Sequence, residues 1–72
     1  MYMTEIDPKE IKDALTEIGI SRWKMAHLLN PWLSKQDAYR TFKRWMDNRR
    51  MPVYREKFLW SYIKSLKNSQ GS

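Results

Sequence analysis

Cysteine is absent from this 72-residue chain. Without thiols it can form neither a disulfide framework nor a thiolate metal site, and nothing in it suggests a small secreted protein. Long hydrophobic runs are missing too, since no stretch approaches the roughly 20 apolar residues of a membrane span. The acidic N-terminal stretch also lacks the basic and apolar regions of a signal peptide. We therefore expect a cytoplasmic protein with no membrane partner.

Groups for catalysis, metal binding or cofactor binding are equally scarce. His27 is the single histidine, and no second histidine or cysteine exists that could share a metal ion with it. We recognise no nucleophile with an adjacent base, no paired carboxylates and no glycine-rich phosphate loop. We therefore expect a surface role for His27, no enzyme activity, no metal or other cofactor, and no small-molecule ligand.

Positive charge is in excess, and its placement along the chain is uneven. Residues 1–20 carry five acidic and two basic side chains, a net charge of −3. Residues 21–72 carry twelve basic and three acidic side chains, a net charge of +9. Clustered lysine and arginine favour a polyanionic partner, because binding releases the counterions of its phosphates. A solvated basic surface would give the same counts, so charge alone does not decide between the two.

Capping residues divide the chain into four predicted helices, with no strand pattern and no internal repeat. Asp7, Ser21 and Ser34 are side chains that accept hydrogen bonds from the free amides of a helix start. Gly19 suits the left-handed residue that ends a helix. The predicted helices cover residues 8–18, 22 to about 29, 35 to about 48, and about 53–67.

Apolar residues recur at helical spacing in these segments, which predicts a compact, all-α, four-helix domain over residues 1–67 and a flexible tail over residues 68–72. In the third helix, Ala38 and Phe42 belong to the predicted buried face. The second helix supplies more apolar surface than one stripe requires. We expect Trp23 and Trp32 to lie in the core or to anchor a turn, rather than to form a stacking platform.

The run from Gly19 to Asn30, followed by the run from Phe42 to Pro52, resembles the Cro/repressor-type helix-turn-helix family of phage and bacterial regulators. With their flanking helices these segments cover nearly the whole chain. Members of the family have a serine-capped helix with a central alanine and an apolar residue three positions later. A later helix ends in an arginine and a tryptophan, and a turn closed by proline follows. The residues that match these features here are Ser21, Ala26, Leu29, Arg44, Trp45 and Pro52. The family usually has a tighter turn than residues 31–37 allow. The resemblance implies a helix-turn-helix whose third helix enters the major groove of DNA.

Two sets of polar residues are candidates for DNA contacts. The outward face of the third helix carries side chains suited to reading base edges: Gln36, Tyr39, Arg40, Lys43 and Arg44. Residues at helix starts and in the connector after the third helix suit phosphate contacts: Ser21, Arg22, Lys24, Lys35, Arg49 and Arg50. Charged outer faces are common on soluble helices, and Arg49 and Arg50 could instead stabilise the C-terminal end of the third helix.

These observations predict a sequence-specific regulator of transcription, a repressor, that binds double-stranded DNA at an inverted-repeat operator as a homodimer. Phe58 and Trp60 are the candidate dimer contacts, because they flank an apolar stripe of the fourth helix that is already complete. Trp60 could instead pack against the N-terminal segment. The alternatives are a small phage-type inhibitor that binds a protein, and an RNA-binding protein that uses the basic face.

Overall fold

The order of elements in the computed structural model, which describes residues 2–70, follows the predicted helices closely. The elements are β1 (Met3–Glu5), α1 (Pro8–Ile18), α2 (Arg22–Leu29), α3 (Lys35–Asn48), β2 (Arg50–Pro52) and α4 (Val53–Gln70). The described residues form one compact, mostly helical body with a Cα radius of gyration of 11.8 Å.

Helix α1 begins and ends at the predicted capping residues. The Asp7 carboxylate accepts a 3.0 Å hydrogen bond from the backbone N–H of Lys9. At the other end Gly19 has a φ of 74°, in the left-handed region where a side chain would be strained. The chain then reverses, and the backbone N–H of Ile20 donates to the carbonyl of Leu15 at 3.0 Å. The backbone N–H of Gly19 also donates to the carbonyl of Thr16, at 3.1 Å. The two bonds together form the Schellman motif, which brings Ile20 against the core.

Serine caps also start the next two helices. The Ser21 hydroxyl accepts from the backbone N–H of Lys24 at 3.1 Å, and the Ser34 hydroxyl accepts from that of Asp37 at 3.2 Å. Because these bonds use only neighbouring residues, they fix where α2 and α3 begin without help from the rest of the fold.

The connection between α2 and α3 spans residues 30–34 and turns on a buried asparagine. Asn30 is 3% exposed, and both its backbone N–H and its side-chain amide donate to the carbonyl of Ala26, at 3.1 and 3.3 Å. The N–H of Leu33 then closes the turn onto the carbonyl of Asn30 at 3.1 Å. Leu33 packs against the core, whereas Trp32 is 62% exposed and lies beneath the guanidinium of Arg55. Of the two expected positions, Trp32 therefore takes that of a turn anchor and not that of a core residue, since Leu33 occupies the inward side of the turn.

A small sheet corrects the expectation that no strand is present. Strands β1 and β2 pair antiparallel, with Thr4 opposite Met51 and Met3 opposite Pro52. Each strand is three residues long, which is too short for a visible alternation in the sequence, and the two strands are far apart in the chain. The sheet turns the predicted basic connector into a structural element and buries Met51 completely.

One hydrophobic core lies between the helices and the sheet. Two small residues, Ala26 of α2 and Ala38 of α3, are fully buried where these helices pack together. Phe42 is 1% exposed, in agreement with the predicted buried face of α3. The remaining buried apolar residues are Ile11, Leu15, Ile18, Met25, Leu29, Met46, Met51, Leu59 and Ile63.

Helix α4 extends to Gln70, three residues beyond the predicted end of the fourth helix at about residue 67. No glycine or proline interrupts the helix before Gly71, and residues without an apolar side chain can still continue its backbone hydrogen bonds. In its last turns the ammonium of Lys67 lies 3.2 Å from a carboxylate oxygen of Glu17 on α1. Gly71 and Ser72, the rest of the predicted tail, lie outside the described residues.

Candidate nucleic-acid interface

The outward face of α3 is a polar surface that the fold leaves open. Four of the five residues predicted to read bases are exposed, and they are Gln36, Arg40, Lys43 and Arg44. The fifth, Tyr39, is partly buried. This helix therefore presents several hydrogen-bond donors on its outward side, while its opposite side fills the core.

These residues do not all point the same way around the helix. At about 100° per residue, Arg40 lies near the middle of the outward face, and Arg44 lies about 140° around the axis from Tyr39. Tyr39 and Lys43 lie on the flank next to Arg22 of α2, and the three line one cleft. Tyr39 and Lys43 thus lie beside Arg22, a predicted phosphate contact, whereas Arg44 lies on the opposite flank of α3.

This small cleft, of about 120 Å³, lies where α1, α2 and α3 meet. Its lining residues are Lys12, Arg22, Tyr39, Phe42, Lys43, Met46 and Asp47. Lys12 was not among the predicted contacts, because it belongs to the acidic N-terminal segment and gives no local signal of its position. The cleft therefore combines three cationic side chains with the single carboxylate of Asp47.

A large cleft of about 400 Å³ lies along α2 and reaches the start of α3. Its lining residues are Ser21, Trp23, Lys24, His27, Leu28 and Lys35. It brings together three of the predicted phosphate contacts, Ser21, Lys24 and Lys35, and its lining contains no carboxylate. His27 lies in this cleft and is partly buried.

An aromatic stack separates the two clefts. The rings of Trp23 and Tyr39 lie 4.0 Å apart between centroids and 7° from parallel, and Trp23 lines the large cleft while Tyr39 lines the small one. Trp23 is 50% exposed, so the expectation that it belongs to the core or to a turn anchor is wrong. Met25 and Ala26 already fill the inward side of α2. The surplus apolar surface in the sequence of α2 was the signal for an exposed ring.

Arg49 and Arg50 lie at the other end of α3, which is about 21 Å long. Both are exposed. Arg49 ends the helix in the left-handed region with a φ of 57°, and its N–H donates to the carbonyl of Met46 at 3.3 Å. Arg50 stands opposite Glu5 in the sheet. These two arginines therefore form a separate basic site, away from the residues of the large cleft at the start of α3.

The two predicted dimer contacts differ in exposure. Phe58 is 45% exposed and stacks on Tyr62 of the same helix, with ring centroids 6.2 Å apart. Trp60 is partly buried and packs against the core. Phe58 is thus the one of the pair whose ring is available to a partner.

Among residues 2–70, no group of three or more histidine, aspartate or glutamate side chains could hold a metal ion. Within the same part of the chain, every helix is too short or too polar to cross a bilayer. The chain matches no protein-family model, no curated protein and no solved structure.

Proposed function

We propose that this protein is a sequence-specific regulator of transcription, a repressor, which binds double-stranded DNA through a helix-turn-helix formed by α2 and α3. Helix α3 enters the major groove. The observation that carries the proposal is the small cleft, where Arg22 at the start of α2 meets Tyr39 and Lys43 on the outward flank of α3. In helix-turn-helix proteins the first helix contacts the phosphate backbone at its start, and the second helix lies in the major groove.

The packing of the two helices supports this interpretation. Ala26 and Ala38 are fully buried, so the backbones of α2 and α3 can approach closely without side chains between them. The turn at residues 30–34 is fixed by the bonds of Asn30 and by the Ser34 cap. The lengthened turn therefore still delivers α3 as a rigid, capped helix with one side in the core and the other open.

The distribution of charge supports DNA as the partner. Five cations, Lys12, Arg22, Lys24, Lys35 and Lys43, line the two clefts on either side of the aromatic stack, with Asp47 as the only carboxylate there. Neutralising several phosphates at once releases their counterions and makes binding depend steeply on salt. Base edges in the major groove then accept hydrogen bonds from the outward face of α3.

A homodimer completes the proposal and accounts for the exposed ring of Phe58 on α4. Two copies related by a two-fold axis would present two α3 helices about 34 Å apart, one turn of duplex. The bound site is then an inverted repeat.

Selection of bound sites from a random duplex library tests the proposal. We expect one enriched inverted-repeat sequence, and affinity for it that falls with rising salt. The double variant Lys24→Glu, Lys35→Glu should weaken binding to every duplex and lower the salt slope by about two units, since two phosphate neutralisations are lost. Lys57→Glu, Lys64→Glu makes the same change of charge on exposed residues of α4 and should have a much smaller effect.

Three results would contradict the proposal. The library could yield no enriched sequence, or the two double variants could weaken binding equally. The protein could also prefer structured RNA to duplex DNA at the same salt concentration, which would favour the RNA-binding alternative.

A further inference from the structure

The stack of Trp23 on Tyr39 has features that neither core packing nor phosphate binding requires. Half of the Trp23 surface is exposed, although its ring lies nearly parallel to that of Tyr39 at 4.0 Å. Among residues 2–70, neither the Tyr39 hydroxyl nor the Trp23 indole nitrogen has a hydrogen-bond partner. The stack restricts both rings to one orientation, so Trp23 presents a fixed apolar surface to solvent.

Basic side chains surround this apolar surface of Trp23. Trp23 shares the large cleft with Lys24 and Lys35, and it borders another groove with Lys12 and Arg22. A partner that fits here must carry negative charge at the edges and an apolar group near the centre. Phosphates flanking the major groove of DNA supply the charge.

The major groove offers one apolar group on the base edges. The amino, carbonyl and ring-nitrogen groups that line it are polar, and only thymine adds a methyl group at C5. We infer that the exposed ring surface of Trp23, held in place by Tyr39, packs against the C5-methyl of a thymine in the bound duplex. Trp23 is then a specificity-determining residue in addition to the polar side chains of α3. The inference rests on the proposed function.

An exposed ring could instead stack against an unpaired base of a single-stranded nucleic acid. Single-strand binding uses several exposed ring faces along a groove, so that successive bases can each stack. Here Trp23 and Tyr39 already use one face of each ring on each other. A small contact, such as a methyl group, fits this arrangement better than a row of bases.

Replacing thymine with deoxyuridine, one position at a time in the selected site, tests the inference with the unaltered protein. The replacement removes only the methyl group and keeps every hydrogen-bonding atom of the base. We expect one position in each half-site at which uracil weakens binding about fourfold, the effect of removing one methyl-sized apolar contact.

The Trp23→Ala variant should bind the thymine and uracil sites equally, because the ring that contacts the methyl group is gone. Trp32→Ala is the matched control: it removes another exposed tryptophan, one that lies against Arg55 at the turn, and it should keep the preference for thymine. Tyr39→Phe keeps a ring for the stack and removes only the hydroxyl, so it should keep the preference for thymine over uracil even if the lost hydroxyl weakens binding to both sites. Circular dichroism verifies that each variant remains folded.

The outcomes separate this inference from the proposed function. A selected site without thymine, or one in which no uracil replacement weakens binding, overturns the inference and leaves the proposed function standing. Equal loss of the preference in Trp32→Ala also overturns it. Tighter binding to single-stranded oligonucleotides than to duplex, lost in Trp23→Ala, would assign the ring to an unstacked base and would count against both.

Discussion

The guanidinium carbon of Arg55, in the first turn of α4, lies 4.4 Å from the centre of the Trp32 ring. Trp32 belongs to the turn between α2 and α3, so this contact joins the turn to a helix that lies later in the chain. A cation over the face of an indole ring is attracted by the electrons of the ring. The pair therefore holds the outer side of the turn, while Leu33 and Asn30 hold its inner side.

A double-mutant cycle measures this contact. Arg55→Ala and Trp32→Ala should each lower the free energy of unfolding, and the combined variant should show a coupling of about 0.5 to 1 kcal/mol, typical of an exposed cation and ring. Urea unfolding of the four proteins gives the number. Strictly additive losses would mean that the two side chains stabilise the protein independently and that the turn does not depend on α4.

The left-handed conformation of Arg49 makes stability and DNA binding respond in opposite directions. This conformation costs a residue with a side chain about 1 to 2 kcal/mol, and glycine avoids that cost but loses about 0.5 to 1 kcal/mol through its greater freedom when unfolded. Arg49→Gly should therefore raise the free energy of unfolding, by up to about 1.5 kcal/mol. It should also weaken all duplexes alike and lower the salt slope by about one unit.

Arg50→Gly is the matched control, because it removes the same charge from the neighbouring strand residue. Glycine weakens a strand, so this variant should lower the stability while changing the salt slope in the same way. If Arg49→Gly leaves the salt slope unchanged, Arg49 acts on the end of α3 and not on a phosphate. If it destabilises the protein, the conformation of Arg49 is not strained.

The starts of α1, α2 and α3 were predictable because their signals are local. Asp7, Ser21 and Ser34 each bond to an amide two or three residues further along, and such a cap can be recognised in any sequence. The exposed outward side of α3 follows from helical periodicity in the same way. Polar residues that share one helix face could therefore be assigned before their surroundings were known.

Features that depend on contacts between distant segments were not predictable. The pairing of Thr4 with Met51 involves two strands too short to show a pattern. Lys12 joins the small cleft only because the fold brings this part of α1 to the same cleft as residues of α2 and α3. Helical periodicity also gives the angular position of Trp23 around α2, but it does not show which side chains of the helix pack into the core. The exposed stack with Tyr39 therefore emerged only from the packed structure.

Phe58 provides the test of the proposed dimer. Phe58→Ser should convert the DNA-bound protein from two copies per site to one and should weaken binding to the inverted repeat far more than binding to a half-site. Light scattering of the protein on its selected DNA measures the mass of the complex.

Lys57→Ser changes the preceding exposed residue, about 100° around the helix, and should leave the dimer intact. A monomer mass for the unaltered protein on DNA, together with a site lacking two-fold symmetry, would contradict the dimer. The interface is elsewhere if both variants dissociate equally.

In the proposed complex, α3 reads the DNA sequence while residues at the start of α2 bind its backbone. Arg40 lies on the outward face of α3, and Lys24 lies in the large cleft at the start of α2. A base contact stabilises only the correct sequence, whereas a phosphate contact stabilises any duplex. The two residues should therefore affect specificity differently.

The most direct measurement is the ratio of affinities for the selected site and for random duplex, determined for Arg40→Ala and Lys24→Ala over a range of salt concentrations. Arg40→Ala should cost about 1 to 3 kcal/mol on the selected site and much less on random DNA, so the ratio falls. Lys24→Ala should weaken both duplexes alike and lower the salt slope by about one unit, so the ratio stays the same. An unchanged ratio for Arg40→Ala, with a collapsed ratio for Lys24→Ala, would show that α3 is not the helix that reads the bases.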